Sequence, residues 1–140
     1  MSVEKFLDTN GLVYQLDTTD PERSATADAI VREAILTGNA CISYQVVQEF
    51  LNTALRKASV PLDVTSARAY LGSVLAPLMR VSASADLYHR ALGVHDRFRY
   101  SFYDLLVIAA ALEAGCRRLL SEDLHDGQQV EFLTIENPFG

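Results

Sequence analysis

Apolar positions along the chain fall into two patterns, short unbroken runs and longer stretches where they return every three or four residues. That alternation predicts strands interleaved with amphipathic helices. Val3 to Leu7 reads as a first strand, followed by a polar turn, Asp8-Thr9-Asn10-Gly11. Asp20-Pro21-Glu22 starts a helix, with Asp as N-cap, Pro at the first helical position and an acid in the first turn. It runs through Ile30, Val31, Ala34 and Ile35 to Gly38. Ala40-Cys41-Ile42 is a short strand, and Ser43 opens a helix through about Lys57. Thr65 caps another, through Tyr70, Leu71 and Leu75 to Pro77, before a strand from Leu78 to Val81. Ser84 begins a helix carrying Leu87, Ala91 and Val94. Ser101 opens a markedly apolar helix closed by Gly115, a residue suited to the left-handed position after a helix. Arg118 to Ser121 and Val130 to Ile135 are the last strands.

Strands joined through helices need crossover connections, so the expected architecture is α/β with a mainly parallel sheet covered on both faces. No repeat, low-complexity tract or linker divides the chain, so residues 1–140 are expected to form one domain. In parallel sheets ligands bind beyond the carboxyl ends of the strands. That rule sets Asp8, after the first strand, and Asp123, after the strand ending near Ser121, on one edge. The helices opening at Ser43 and Ser101 start near the same edge, with Glu49 and Asp104 in their early turns.

Composition narrows the chemistry. No signal-like n-region or h-region precedes the first strand, which points to a cytoplasmic protein. The longest apolar run, Leu105 to Leu112, falls far short of the ~20 residues that cross a bilayer. Cys41 and Cys116 sit among apolar neighbours without CxxC spacing and read as buried free thiols. His89, His95 and His125 form no zinc-binding pattern. A net charge of −6 runs against the basic surface usual for nucleic-acid binding. Four carboxylates gathered in one metal site would account for most of it, so acidity does not exclude a metal-dependent nuclease.

Each acid has an ordinary structural explanation. Asp8 can cap or turn the chain, Glu49 can lie on a solvated helix face, and Ser101-x-x-Asp104 resembles a capping box. The neighbours argue for more. Glu49 sits among Val46, Val47, Phe50 and Leu51, and Asp104 opens a helix too apolar to lie on the surface. A carboxylate there must be paired, metal-bound or protonated. Two carboxylates ~4 Å apart repel by about 4 kcal/mol at an effective dielectric near 20. The chain's lysines, Lys5 and Lys57, lie outside the acid motifs. A hard divalent cation, Mg²⁺ or Mn²⁺, is the natural counter-charge for such oxygen ligands.

Four segments carry a family resemblance: Phe6-Leu7-Asp8-Thr9-Asn10, Ser43-Tyr44-Gln45-Val46-Val47-Gln48-Glu49, Ser101-Phe102-Tyr103-Asp104 and Leu120-Ser121-Glu122-Asp123-Leu124. In residues, order and spacing they resemble the PIN-domain family, especially its bacterial VapC-type toxins, over Phe6 to about Thr134. The resemblance implies a three-layer α/β/α domain with Mg²⁺-dependent ribonuclease activity. It assigns the metal-binding and catalytic roles to Asp8, Glu49, Asp104 and Asp123, with Asn10 and Ser121 as accessory polar positions. It also implies a homodimer and a cognate VapB-like antitoxin. The family often carries a Thr-x-Asp-x-Asp-Phe-like segment where this chain has Ser121-Glu122-Asp123-Leu124-His125-Asp126-Gly127. Asp123 is the choice there, with Asp126 the substitute and Glu122 behind it.

The chemistry expected is hydrolysis of RNA by a metal-activated water, with Asp104 or Glu49 as proton acceptor. Arg56 with Lys57, and Arg97 with Arg99, are candidate phosphate contacts. Two other readings stand beside it. Phosphoryl-aspartate chemistry at Asp8 wants a lysine at a late strand, and none follows Leu78. A non-catalytic PIN-like module binding RNA or protein is the main alternative, disfavoured by the presence of all four acids.

Overall fold

The structure, a computed structural model, describes residues 3–57 and 59–140. Its strands are β1 (Lys5–Leu7), β2 (Ala40–Ser43), β3 (Met79–Val81), β4 (Arg118–Leu120), β5 (Gln129–Val130) and β6 (Leu133–Glu136). The helices are α1 (Thr9–Leu16), α2 (Pro21–Thr37), α3 (Tyr44–Ala54), α4 (Val64–Tyr70), α5 (Ala76–Leu78), α6 (Ala85–His95) and α7 (Phe102–Glu113). None of the described helices is long and apolar enough to cross a membrane.

The strands form one six-stranded sheet in the order β3-β2-β1-β4-β6-β5. Every described pairing is parallel except β5 with β6. Side chains along a strand point alternately to opposite faces, and all four residues of β2 are buried. Both faces of the sheet are therefore covered, which makes the fold a three-layer α/β/α sandwich. Phe6, Ile42, Leu119 and Ile135 from the strands meet Leu12, Phe50, Leu87 and Ile108 from the helices in one core.

Helix ends follow the sequence closely where a side chain caps them. Asp20 accepts from Arg23 N at 3.2 Å with Pro21 in the first turn, and α2 ends at Gly38 in the left-handed conformation, φ 71°. Ser43, Ser84 and Ser101 cap α3, α6 and α7 in the same way. Gly115, φ 76°, closes the approach from α7 to β4.

The structure corrects the sequence reading at several connections. Asp8-Thr9-Asn10-Gly11 is not a turn. Asp8 is the N-cap of α1, and Leu12 and Val13 bury that helix despite Gly11 in its first turns. The next cap is Asp63 rather than Thr65, accepting from Ser66 N at 2.8 Å. Its helix does not run evenly to Pro77. A π-helical turn over Leu71–Leu75 intervenes, with Ala76 N donating to Leu71 O. Val130 to Ile135 is two strands, because Glu131 adopts φ 54° and turns the chain back on itself. The helix from Ser43 stops at Ala54, short of Lys57.

Candidate metal centre

Strand order decides where the site lies. The chain leaves β1 toward β2 and β3, then returns to place β4 on the other side of β1. The strand order reverses between β1 and β4, and the loops leaving their carboxyl ends diverge to open a crevice. Leu7 pairs with Leu120, and Asp8 N donates to Leu120 O at 3.1 Å. This register sets Asp8 beside Ser121. Ser43 ends β2 and caps α3, which projects Glu49 from its second turn. Asp104 lies in the first turn of α7, its backbone N donating to Ser101 Oγ at 3.1 Å.

Asp8, Glu49, Asp104 and Asp123 line one cavity of about 300 Å³, together with Thr9, Asn10, Asn52, Thr53 and Lys57. Two hydrogen bonds hold Asp8. Its Oδ1 accepts from Thr9 N at 2.8 Å and its Oδ2 from Ser121 Oγ at 2.8 Å. Burial pushes its carboxyl up to about 6 against those two hydrogen bonds, and the charges of Glu49 and Asp123 raise it further.

Glu49 is gripped from both sides. Its Oε2 accepts from Thr9 Oγ1 at 3.1 Å and its Oε1 from Gln45 Nε2 at 2.7 Å. Gln45, buried, also donates to Tyr103 O at 3.0 Å, tying α3 to α7 one residue before Asp104. Asp123, exposed, accepts from Asn10 Nδ2 at 2.8 Å. The Asp104 carboxylate accepts no hydrogen bond from the described residues.

The alternatives to Asp123 are occupied elsewhere. Asp126 accepts from Asn137 N at 2.8 Å and is not part of the cavity wall. Glu122 is likewise not part of the cavity wall. Tyr14 donates to its Oε1 at 2.5 Å, and Arg23 donates to its Oε2 at 2.9 Å while also pairing with Asp20 at 3.0 Å. The Tyr14 bond, then burial and Arg23, set the balance that holds Glu122 below its ordinary value. Asn10 and Ser121 both touch cavity acids.

Among the described residues no three His, Cys, Asp or Glu side chains already stand as a closed metal-holding group. The donor set nevertheless suits a hard divalent cation. The cavity wall carries four carboxylates and no thiol or imidazole, and burial and like charges both disfavour the ionised form of Asp8. Cys41 and Cys116 are free and buried, their sulfurs 3.8 Å apart and away from this cavity.

Sequence reasoning missed Thr9, Gln45 and the clamp of Tyr14 and Arg23 on Glu122. Thr9 carried a signal in its place beside Asp8. The others come from elements whose packing no local pattern announces. Of the basic pairs singled out, only Lys57 lines the cavity; Arg97 lies 3.8 Å from Glu131 instead.

The sequence profile of the PIN domain matches residues 5–126. No curated protein sequence matches the chain. Solved structures do resemble it. VapC20 of Mycobacterium tuberculosis, described as a sarcin-ricin loop cleaving toxin, is 23% identical over 92% of each chain, with a TM-score of 0.61. A toxin–antitoxin complex from Klebsiella pneumoniae is 16% identical over 96% of this chain and 98% of that one, with a TM-score of 0.68. DNA-bound VapBC from Salmonella typhimurium is 14% identical over 97% and 98%, with a TM-score of 0.66.

Proposed function

The chain belongs to the PIN-domain family, and from that premise we propose that it is a divalent-cation-dependent endoribonuclease, the toxin of a VapBC-type pair. Asp8, Glu49, Asp104 and Asp123 would hold Mg²⁺, with Mn²⁺ as a substitute. When bound, the ion supplies positive charge at the phosphoryl oxygens and acidifies a water for in-line attack. The chain's own residues prepare for that chemistry. Thr9 and Ser121 fix Asp8, and Thr9 with Gln45 fixes Glu49, so neither carboxylate needs to reorganise. Asp104, whose carboxylate accepts no hydrogen bond from the described residues, would take the proton of the attacking water.

The observation that carries this reading is the arrival of four acids from four separate segments in one cavity. A protein needing such a cluster only for stability would not gather like charges at this cost.

Two apolar surfaces support the proposed partners. Ile35 and Leu36 on α2 are exposed, Leu36 by 84%, beside a groove lined by Leu16, Tyr70 and Val74. Exposed apolar area of this kind suits a protein partner such as a VapB-like antitoxin. Tyr88 and Leu92 on α6 and Phe102 and Tyr103 on α7 are exposed on two helices packed together, a surface suited to a homodimer.

The test is cleavage of RNA oligonucleotides and total tRNA by the wild type and by Asp8→Asn, which preserves the helix cap. The wild type is expected to cut only with Mg²⁺ or Mn²⁺. The variant is expected to fold, to lose at least ~100-fold in activity and to lose cation uptake by calorimetry. Cation-independent cleavage, or full activity in Asp8→Asn, would overturn the proposal. Cation uptake without cleavage of any RNA would favour the non-catalytic module.

A further inference from the structure

A cavity lined by four carboxylates stays net negative with one divalent cation bound, so an RNA strand entering it is favoured by a positive side chain of the protein's own. Lys57 stands in the cavity wall next to Asn52 and Thr53. An ammonium among four carboxylates is expected to pair with one of them. Its ion pair among the described residues is instead with Asp17, 3.1 Å from Nζ to Oδ2, and the Asp17 side chain is 3% exposed against 43% for Lys57.

Asp17 is itself fully engaged. Its Oδ1 accepts from Thr19 N at 2.9 Å and from Thr19 Oγ1 at 2.6 Å. Those bonds, more than the lysine, hold its carboxyl well below the ordinary range. The lysine is therefore steadied by a rigid, ionised partner on the connection from α1 to α2. An ammonium carries three donors, and Asp17 takes one. The pair is not needed to join the two segments, because Thr18 N and Thr18 Oγ1 already donate to Ser59 O at 2.9 and 3.0 Å.

We infer that Lys57, steadied in the cavity wall by its pair with Asp17, binds a backbone phosphate of the RNA that enters the acid cavity. The inference rests on the ribonuclease reading for its substrate class. It gives a substrate-binding role to the positively charged side chain of that wall. Asn52 and Thr53 give the same wall two neutral polar side chains that suit the sugar–phosphate edge.

The experiment compares wild type, Lys57→Ala and Lys57→Arg on a mixed-sequence single-stranded RNA oligonucleotide. Cleavage is followed across a salt series. Binding of the same oligonucleotide is measured separately in an Asp8→Asn background, and Mg²⁺ uptake by calorimetry without RNA. Lys57→Ala is expected to raise KM and the binding Kd by roughly tenfold and to lower the salt slope by about 0.7. The expected change in kcat is smaller, and Lys57→Arg should restore most of the loss. Mg²⁺ uptake should stay the same or tighten, because a competing positive charge has gone. A residue that merely braces the fold would lower the melting temperature and leave the salt slope alone.

Unchanged KM and salt slope in folded Lys57→Ala would overturn the inference while leaving the ribonuclease reading intact. RNA binding that depends on Lys57, without cleavage under any cation, would support the inference and sink the ribonuclease reading.

Discussion

Replacing Tyr14 by phenylalanine removes one hydroxyl and leaves the ring on Phe139, 5.0 Å away edge-to-face. The lost bond is the 2.5 Å donation to Glu122 Oε1. A hydrogen bond to a charged group is worth about 1.5–3 kcal/mol. Arg23 still holds the other oxygen, at 2.9 Å, so the lower end applies, about 1.5 kcal/mol. For a chain of this size that corresponds to a fall in melting temperature of roughly 5 °C. A double-mutant cycle with Glu122→Ala isolates the contact, and urea denaturation reads it.

Tyr14→Phe should cost little once Glu122 is absent. A cost in the Glu122→Ala background within ~0.5 kcal/mol of the wild-type cost would refute the pairing. The same contact has a spectroscopic signature. Its bond to Glu122, with burial, pushes the Tyr14 hydroxyl up to about 12 from 10.0. The difference in phenolate absorption between wild type and Tyr14→Phe should therefore titrate near 12. Because the folded value lies above the ordinary one, the contribution is intact below pH 10 and fades as the pH climbs toward 12.

Asp17 runs the other way. Its carboxyl is held below the ordinary 3.8 by Thr19 and then Lys57, so its stabilisation is present above about pH 4 and drains away as the solution becomes more acidic. The stability gap between wild type and Asp17→Asn should be wide at pH 7 and shrink toward pH 2; an equal gap at both would contradict it. Gly38→Ala should destabilise by about 1 kcal/mol in thermal unfolding, because φ is 71° there and a Cβ meets only Arg80 Nη2 at 3.6 Å. A neutral result would show that the end of α2 relaxes.

The sequence made the parallel core and the ends of most helices readable because caps and periodicities act locally. Asp20-Pro21 and Ser101 needed only their own neighbours to be understood. Asp8-Thr9-Asn10-Gly11 misled because Asn-Gly is a strong turn signal. The burial of Leu12 and Val13 against the rest of the fold outweighs it. The hairpin at Glu131 carried no Gly or Asn to announce a left-handed residue. In the candidate site the acids were readable from motif order, whereas their supports were not. Tyr14 meets Glu122 across 108 residues, and Gln45 reaches Tyr103 O across 58. Such partners are fixed by strand order and helix packing, which no window of sequence contains.

The helix that carries Asp104 continues without interruption through Leu105 to Leu112, each of them buried. The turn that follows Asp104 cannot loosen without withdrawing Leu105 and Ile108 from the core. The carboxylate is thereby carried at the head of a helix whose following turns open only with the core, unlike a group borne on a surface loop. Heat or denaturant should not abolish this corner of the cavity ahead of the fold, and the two should disappear in one step.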